Sequence, residues 1–285
     1  MNPKSTAAAL AAAALLTAAC GRLDDGPGSG GDVEISHPIG ANELVLRIET
    51  GGGFVAVEST LAALPGVSIY GDGRMIVQGP VIEIYPGPAL PNLQVTRLSE
   101  DAIQAILAAA RNAGLLDGDA SYDYPCVTDV GTTTFTVNAE GRSNVVSAYA
   151  LGFDQGGCPG VDEEARAALV GFQADLGDPR TLVPEGSIGE EEPYAPTEMR
   201  VFVLPYRGDP TLPQEPVLWP VQSSLDTFGE PLDVPEGVRC GVVGGGELPA
   251  LLEAATSANQ LTPWTGGGIE HGLIFRPLLP DEHGC

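Results

Sequence analysis

Alternating apolar and polar positions predict six β-strands in the first half of the chain. They cover residues 43–49, 67–70, 75–77, 81–85, 132–138 and 144–150. The strongest signal is the pair of apolar runs on either side of Gly71-Asp72-Gly73, because Asp-Gly supplies the positive φ angles that a tight hairpin requires. A second turn is predicted at residues 140–141, and Pro86 ends the strand at 81–85.

Apolar residues at the helical period predict amphipathic helices at 98–116, 162–176 and 247–259. Ser99 is placed to cap the first of these helices, and Pro249 is compatible with the first turn of the third. The predicted core faces of the first two helices consist of Ile103, Ile106, Leu107, Ala110, Ala165, Leu169, Phe172 and Leu176.

The second half of the chain repeats this mixture of strands and a helix. Strands are predicted at 199–206, 217–221 and 273–278, and Pro220 makes the middle one an edge strand. Residues 181–198 are rich in Pro, Gly and Glu, which is typical of a linker. The predicted organisation is therefore an α+β domain at 43–180, a linker at 181–198 and a smaller α+β domain at 199–285. The predicted fold class is α+β, with antiparallel sheets packed with helices in two halves.

Three stretches together resemble an uncharacterised family of small bacterial exported and lipoprotein domains. They are the hairpin SIYGDGRMIV, the helix SEDAIQAILAAARNAGLL and the strand pair DVGTTTFTVNAEGR, and the resemblance covers roughly residues 43–151. The family has no established activity, so the resemblance implies a fold and a location only. Many members carry a Cys-Pro pair just before the hairpin, where this chain reads ALPG, so no role of that cysteine carries over.

The beginning of the chain has the pattern of an export signal. Lys4 is followed by an apolar run at residues 7–16, which is shorter than the ~20 residues of a membrane-spanning helix. Small residues at 17–19 then precede Cys20. This segment resembles the lipobox of bacterial lipoproteins, with Thr17 where a leucine is usual. The resemblance implies removal of residues 1–19 and acylation of Cys20, for example with palmitate; the alternative is a plain secretory signal.

Residues 20–42 are accordingly expected to form the acylated cysteine and a flexible tether. The stretch 21–32 is rich in Gly, Asp, Ser and Pro and has little apolar surface to bury. Two or three acyl chains anchor a protein stably. We therefore expect a membrane-anchored lipoprotein on the extracytoplasmic side of the bacterial cell envelope, where the lipid is the contact with the membrane.

The charge of the chain restricts its partners. The net charge is −25, and removal of Lys4 with the signal makes it −26. So acidic a surface argues against nucleic acid, because it offers no cations to replace the phosphate counterions. It also argues against electrostatic adsorption to anionic lipid. The remaining expected partner is an unknown envelope protein or ligand.

With Cys20 acylated, four cysteines remain, which is the number that two disulfides need. Three connectivities are open. The pairing Cys126–Cys158 and Cys240–Cys285 is favoured because each bond then closes a loop within one half of the chain. A zinc site is the alternative, but the sequence contains no C-x-x-C pair, and neither a metal nor a cofactor is expected.

Each candidate catalytic or metal-binding motif lacks a required residue. Cys158 fits the G-x-C-x-G pattern of a nucleophile elbow, but the next residue, Pro159, has no N–H for an oxyanion hole. Asp117, Asp119, Ser121 and Asp123 alternate as in a calcium loop, without the glycine and glutamate of an EF-hand. The three histidines are interpreted as surface residues without metal spacing. They are His37, His271 and His283.

No catalytic residue is therefore predicted, and whether the chain is an enzyme is left open. The favoured hypothesis is a non-catalytic binding or assembly module of the cell envelope. The alternative is an envelope hydrolase whose catalytic residues come together only in the tertiary structure. A structural spacer or an inhibitor-like module is a third possibility.

Overall fold

The computed structural model describes residues 34–153, 156–234, 237–266 and 268–285. Residues 35–285 form one compact unit with an α+β architecture. The expected signal sequence, Cys20 and most of the expected tether lie outside the described residues. Within the described ranges, no helix combines the length and the apolar character that crossing a bilayer requires.

The first sheet has eight strands in the order β5-β7-β6-β1-β2-β3-β4-β8. All neighbours are antiparallel except β5 and β7, which are parallel. The strands are β1 (Leu44–Gly51), β2 (Val67–Tyr70), β3 (Arg74–Gln78), β4 (Leu93–Arg97), β5 (Ala120–Tyr122), β6 (Thr132–Ala139), β7 (Arg142–Tyr149) and β8 (Glu192–Pro193). Residues 181–198, the predicted linker, include β8, which pairs with β4 at the edge of this sheet.

Two helices cover one face of the first sheet and enclose its core. They are α2 (Glu100–Asn112) and α3 (Glu163–Gly177), and both begin at side-chain caps. The Ser99 side chain accepts a hydrogen bond from the Ala102 N–H, and Asp162 accepts one from Ala165. The buried residues of this core include Leu46, Ile48, Ile103, Ile106, Leu107, Phe135, Val137, Leu169, Phe172 and Leu176. The predicted faces of the two helices are confirmed, except that Ala165 is only half-buried.

The second sheet has six strands in the order β10-β13-β14-β9-β12-β11. They are β9 (Glu198–Pro205), β10 (Val217–Leu218), β11 (Glu230–Pro231), β12 (Arg239–Gly244), β13 (Trp264–Thr265) and β14 (Glu270–Pro277). Helix α4 (Leu248–Thr256) packs on this sheet, and Pro249 lies in its first turn. The edge position of β10 is confirmed, although the strand has two residues where five were predicted.

The two sheets are joined by the chain that follows β14. Asp281 accepts hydrogen bonds at 2.7 Å from both Arg47 of β1 and the Tyr70 hydroxyl of β2. Glu282 forms a two-pronged ion pair with Arg276, which also donates to the Ala63 carbonyl just after helix α1 (Val57–Ala62). This tail therefore contacts both halves. Whether those halves are separate domains stays a prediction.

Two disulfides are present, Cys126–Cys158 and Cys240–Cys285. This is the pairing that the sequence favours. The first bond joins the loop before β6 to the loop after β7. The second fixes the C-terminal residue to β12 and so holds in place the tail that carries Asp281 and Glu282.

The strand register gives the first sheet two different ends. At one end the chain turns tightly, through Gly71–Gly73 between β2 and β3 and through residues 140–141 between β6 and β7. We call this the turn end; residues 35–40 also pack there, since Ser36 accepts from the Glu140 N–H. The opposite end carries four longer connections, and we call it the loop end. These connections are 52–56, 79–92, 123–131 and 150–162.

One predicted strand is wrong. Residues 81–85 are not part of any sheet but lie in the connection between β3 and β4 at the loop end. The local pattern of β-forming residues is that of a strand, yet no strand of the described residues lies beside it. A strand needs a hydrogen-bonded neighbour as well as suitable side chains, and neither sheet provides one here.

Candidate functional site

The cysteine and aspartate motifs take structural positions. Cys158 is bonded to Cys126 and so has no thiol with which to act as a nucleophile. Asp119 accepts a hydrogen bond from the Val145 N–H, and the Ser121 hydroxyl contacts Ser147, because this stretch forms edge strand β5. In the part of the chain that the structure describes, no group of three or more His, Cys, Asp or Glu residues is arranged to hold a metal.

Two of the three histidines, interpreted as surface residues, are partly buried and paired with a carboxylate. The side chain of His37 is only 4% exposed, and its Nε2 lies 3.0 Å from Glu100 Oε1. His271 is 13% exposed, with Nε2 at 2.9 Å from Asp226 Oδ1. Only His283 is exposed. Sequence spacing could not reveal these pairs, because each joins residues that are far apart in the chain.

The cluster around Asp281 is the main polar group that the sequence did not predict. Burial raises the pKa of Asp281, but hydrogen bonds from Arg47 and Tyr70 outweigh that effect and hold the pKa below its usual value. Burial raises the pKa of the Tyr70 hydroxyl, and its hydrogen bond to Asp281 adds to this. Each group already has its partner within the cluster. We therefore interpret the cluster as a structural contact that links the two sheets, and not as an acid–base site.

Large apolar side chains are exposed at the loop end of the first sheet. Seven of the twelve most exposed large apolar residues in the described chain lie there, in three separate connections. They are Phe54, Val55, Val81, Ile82, Ile84, Tyr85 and Phe153. Scattered apolar residues are normal on a protein surface, whereas several loops that expose them at one end indicate an interaction site. We call these seven residues the apolar loop surface.

The connection between β3 and β4 supplies most of this surface and is fixed at both of its ends. Gly79 donates to the Asn92 carbonyl, which closes the connection against the first sheet. Ala89 donates to the carbonyl of Ala258 beside the second sheet, and the N–H of Gly87 bonds to Gln260. Between these attachments, the residues at 81, 82, 84 and 85 are 58–70% exposed. The segment is thus held in position but left uncovered.

A cleft of about 370 Å³ lies beside the start of this connection. It is lined by residues of β2, β3 and the end of α3, together with Arg180 and Glu191. The apolar lining consists of Val67, Met75, Val77, Pro80, Leu176 and Ile188. Its volume is at the small end of the range for ligand pockets, about 300–1,000 Å³. The cleft is therefore an apolar recess next to the loop end, and it is large enough for a side chain of a partner.

The turn end of the same sheet has a different surface. Asp72 pairs with Arg74 and Arg97, and Glu140 pairs with Arg111. One large apolar side chain among the described residues of this end is strongly exposed, Ile39 at 80%. Exposed large apolar side chains are therefore concentrated at the loop end of this sheet.

No protein-family model matches the chain, no curated protein is significantly similar to it, and no solved structure matches it. The resemblance of residues 43–151 to exported domains of unknown activity therefore stays a prediction. Within the apolar loop surface, residues 81–85 carry a local sequence signal, the pattern of β-forming residues that is typical of a strand.

Proposed function

We propose that this protein is a membrane-anchored bacterial lipoprotein that binds another component of the cell envelope and does not act as a catalyst. The observation that carries the binding role is the apolar loop surface, seven exposed side chains from three connections at one end of the first sheet. Leaving such side chains in water has a cost of roughly 1.5–3 kcal/mol for each one that a partner could bury fully. A binding role accounts for that cost.

The path of the chain supports presentation of this surface away from the membrane. The described chain begins at the turn end, where the Ile35 N–H bonds to Gln104 of α2. Thirteen residues lie between Cys20 and residue 34, and if they form the flexible tether that their Gly-rich composition predicts, they would span about 20 Å on average. The eight residues of β1 alone extend about 27 Å from the turn end to the loop end. An anchor at Cys20 therefore holds the turn end nearer the bilayer.

The anchor is tested by labelling cells with an alkyne fatty acid and separating membranes from soluble protein. We expect the wild-type chain to be labelled, shortened by its signal and recovered with membranes. The matched variant Cys20→Ser should be unlabelled and recovered in the soluble fraction. An unlabelled, uncleaved wild-type chain would exclude the lipoprotein part of the proposal.

The binding role is tested by placing a photoreactive amino acid at Phe54 of the acylated protein in its own cells. We expect irradiation to give a discrete cross-linked protein adduct. The control carries the same residue at Ile39, which is also strongly exposed but lies at the turn end. Equal adduct formation at the two positions would show that the loop end has no special partner.

A hydrolase is the alternative function, and the contact between His271 and Asp226 is the observation that favours it. A carboxylate that orients a histidine is one part of a nucleophilic site. The test is turnover of fluorogenic ester, amide and phosphoester substrates by the wild type and by His271→Ala. We expect the wild type and the variant to give the same background turnover. Activity that disappears in the variant would favour the hydrolase.

A further inference from the structure

We infer that residues 81–85 dock by adding a β-strand to an exposed sheet edge of a partner protein. This inference rests on the proposed binding function and names the way in which the apolar loop surface is used. The segment reads Val-Ile-Glu-Ile-Tyr, a run of β-forming residues between Pro80 and Pro86. It therefore has the sequence of a strand but, within the described chain, no strand to pair with.

The backbone of this segment is open to a partner. Its one backbone hydrogen bond in the described structure joins the Ile84 N–H to the Ile82 carbonyl, a local turn around Glu83. The amides of Val81, Ile82, Glu83 and Tyr85 donate no hydrogen bond to any described residue. An extended segment that adds to a sheet edge gains affinity from such main-chain groups and specificity from alternate side chains.

The charge in the middle of the segment identifies the chemistry of the partner. Glu83 is exposed between four apolar side chains, in a protein of net charge −25. Opposite charges on neighbouring strands stabilise a pair, and exposed sheet edges are commonly protected by lysine. The expected partner is therefore an envelope protein whose free edge strand carries a Lys or Arg facing Glu83, with apolar residues on either side.

The same glutamate argues against a second copy of this chain. If two copies of the segment paired antiparallel about their centres, the two Glu83 carboxylates would lie directly opposite, which destabilises a strand pair. Four apolar side chains are also few compared with the roughly 20–30 residues that each partner contributes to a stable interface.

Insertion into the bilayer is disfavoured for two reasons. Glu83 would have to be carried into an apolar medium together with its neighbours, at a large cost for a charged group. The segment also lies at the loop end, whereas the chain from Cys20 reaches the body at the turn end. The edge strand of a protein can supply hydrogen bonds to the free backbone amides of the segment and a cation to Glu83.

The experiment places the photoreactive residue at Ile82 of the acylated chain in its own cells, with the Ile39 position as the matched control. Mass spectrometry identifies the cross-linked partner peptide, and hydrogen exchange of the purified complex is measured at single-amide resolution. We expect the cross-link to map to an edge strand with a basic residue. Every second amide of residues 81–85 should exchange at least about tenfold more slowly in the complex.

Variants at Glu83 test the charge directly. We expect Glu83→Lys to lower the cross-linking yield from Ile82 about tenfold, because it places two cations opposite each other, and Glu83→Gln to lower it less. Residue 83 is exposed in the free protein, so neither substitution should change folding, which is checked by thermal melting.

The outcomes separate the inference from the proposed function. A protein adduct at Phe54 or Ile82, without amide protection at 81–85, would overturn strand addition while the binding function stands. Adducts with lipid alone, or with a second copy of this chain, would also overturn it. Adducts at neither loop-end position above the Ile39 control would remove the binding function itself.

Discussion

The turn end and the loop end of the first sheet are built from the same strands but differ in packing and in apolar exposure. At the turn end, Gly71 brings its backbone so close to residues 38–40 that a Cβ there would lie 2.5 Å from the Pro38 carbonyl oxygen. At the loop end, Gly51 of the same sheet has nothing within 4 Å of such a Cβ. At these two positions the turn end is closely packed and the loop end is open, and the loop end also leaves apolar side chains in water.

Under the proposed binding function, this difference separates residues that stabilise the fold from residues that would contact a partner. Side chains at the turn end are fixed by contacts within the chain, so they contribute to folding. Those of the apolar loop surface touch little of the chain and contribute to folding only weakly. Residues that are exposed, apolar and held in position by their flanks are more simply explained by a partner.

Removal of the Cys126–Cys158 disulfide at the loop end is expected to have the largest effect on the free energy of unfolding in this comparison. The variant Cys126→Ser with Cys158→Ser should lower the free energy of unfolding by about 3–4 kcal/mol, because a closed loop of 32 residues is released in the unfolded chain. Urea denaturation measures this loss. A loss below about 1 kcal/mol would contradict the expected effect of releasing this loop in the unfolded chain.

Alanine substitutions at Gly71 and Gly51 compare the packing of the two ends directly. Gly71→Ala should lower the free energy of unfolding by about 2–3 kcal/mol, since the new Cβ would meet the backbone of residues 38–40. Gly51→Ala, at the loop end, should change it by less than about 0.5 kcal/mol. Equal losses in the same denaturation experiment would contradict the assignment of close packing to the turn end.

Asp281 ties the second sheet to β1 and to Tyr70, which ends β2 at the turn end. Asp281→Asn should lower the free energy of unfolding by about 2 kcal/mol at pH 7, because the charged hydrogen bonds from Arg47 and Tyr70 are weakened.

The pH dependence follows from the depressed pKa of Asp281 in the folded protein. The unfolded chain binds this proton more readily, so the stabilisation is complete above the ordinary pKa of 3.8 and is lost as the pH falls through the lower folded value. The difference between wild type and variant should therefore shrink below about pH 4. A difference that stays constant down to pH 2 would show that the carboxylate charge is not involved.

The smallest effect is expected at the apolar loop surface. Phe54→Ser and Ile84→Ser should each change the free energy of unfolding by less than about 0.5 kcal/mol, because these side chains are 91% and 58% exposed. The buried Ile106→Ala provides the contrast, with an expected loss of about 2–5 kcal/mol. A large loss at Phe54 would mean that the loop end packs against the chain after all.

Local patterns predicted much of the fold. The hairpin around Gly71-Asp72-Gly73, the capped helix α2 and the strand pair β6–β7 are confirmed, because each depends on interactions within a short stretch of sequence. The α+β class follows from the same elements. The disulfide pairing was favoured by a simple argument, that each bond closes a loop within one half of the chain.

The candidate site could not be predicted in the same way. Its residues come from three connections that are separated by up to a hundred positions, and they lie at one end of the sheet only because antiparallel pairing brings alternate strand ends together. The contacts of His37 with Glu100 and of His271 with Asp226 have the same origin. The cluster of Arg47, Tyr70 and Asp281 joins residues that are more than 200 positions apart.

The sequence by itself determined which stretches of this chain could become helices, turns and strands, since φ, ψ and side-chain periodicity are local properties. Only the tertiary structure decided which strands found partners. For residues 81–85 it supplied none, because a strand is completed by hydrogen bonds to a neighbour that its own sequence cannot provide.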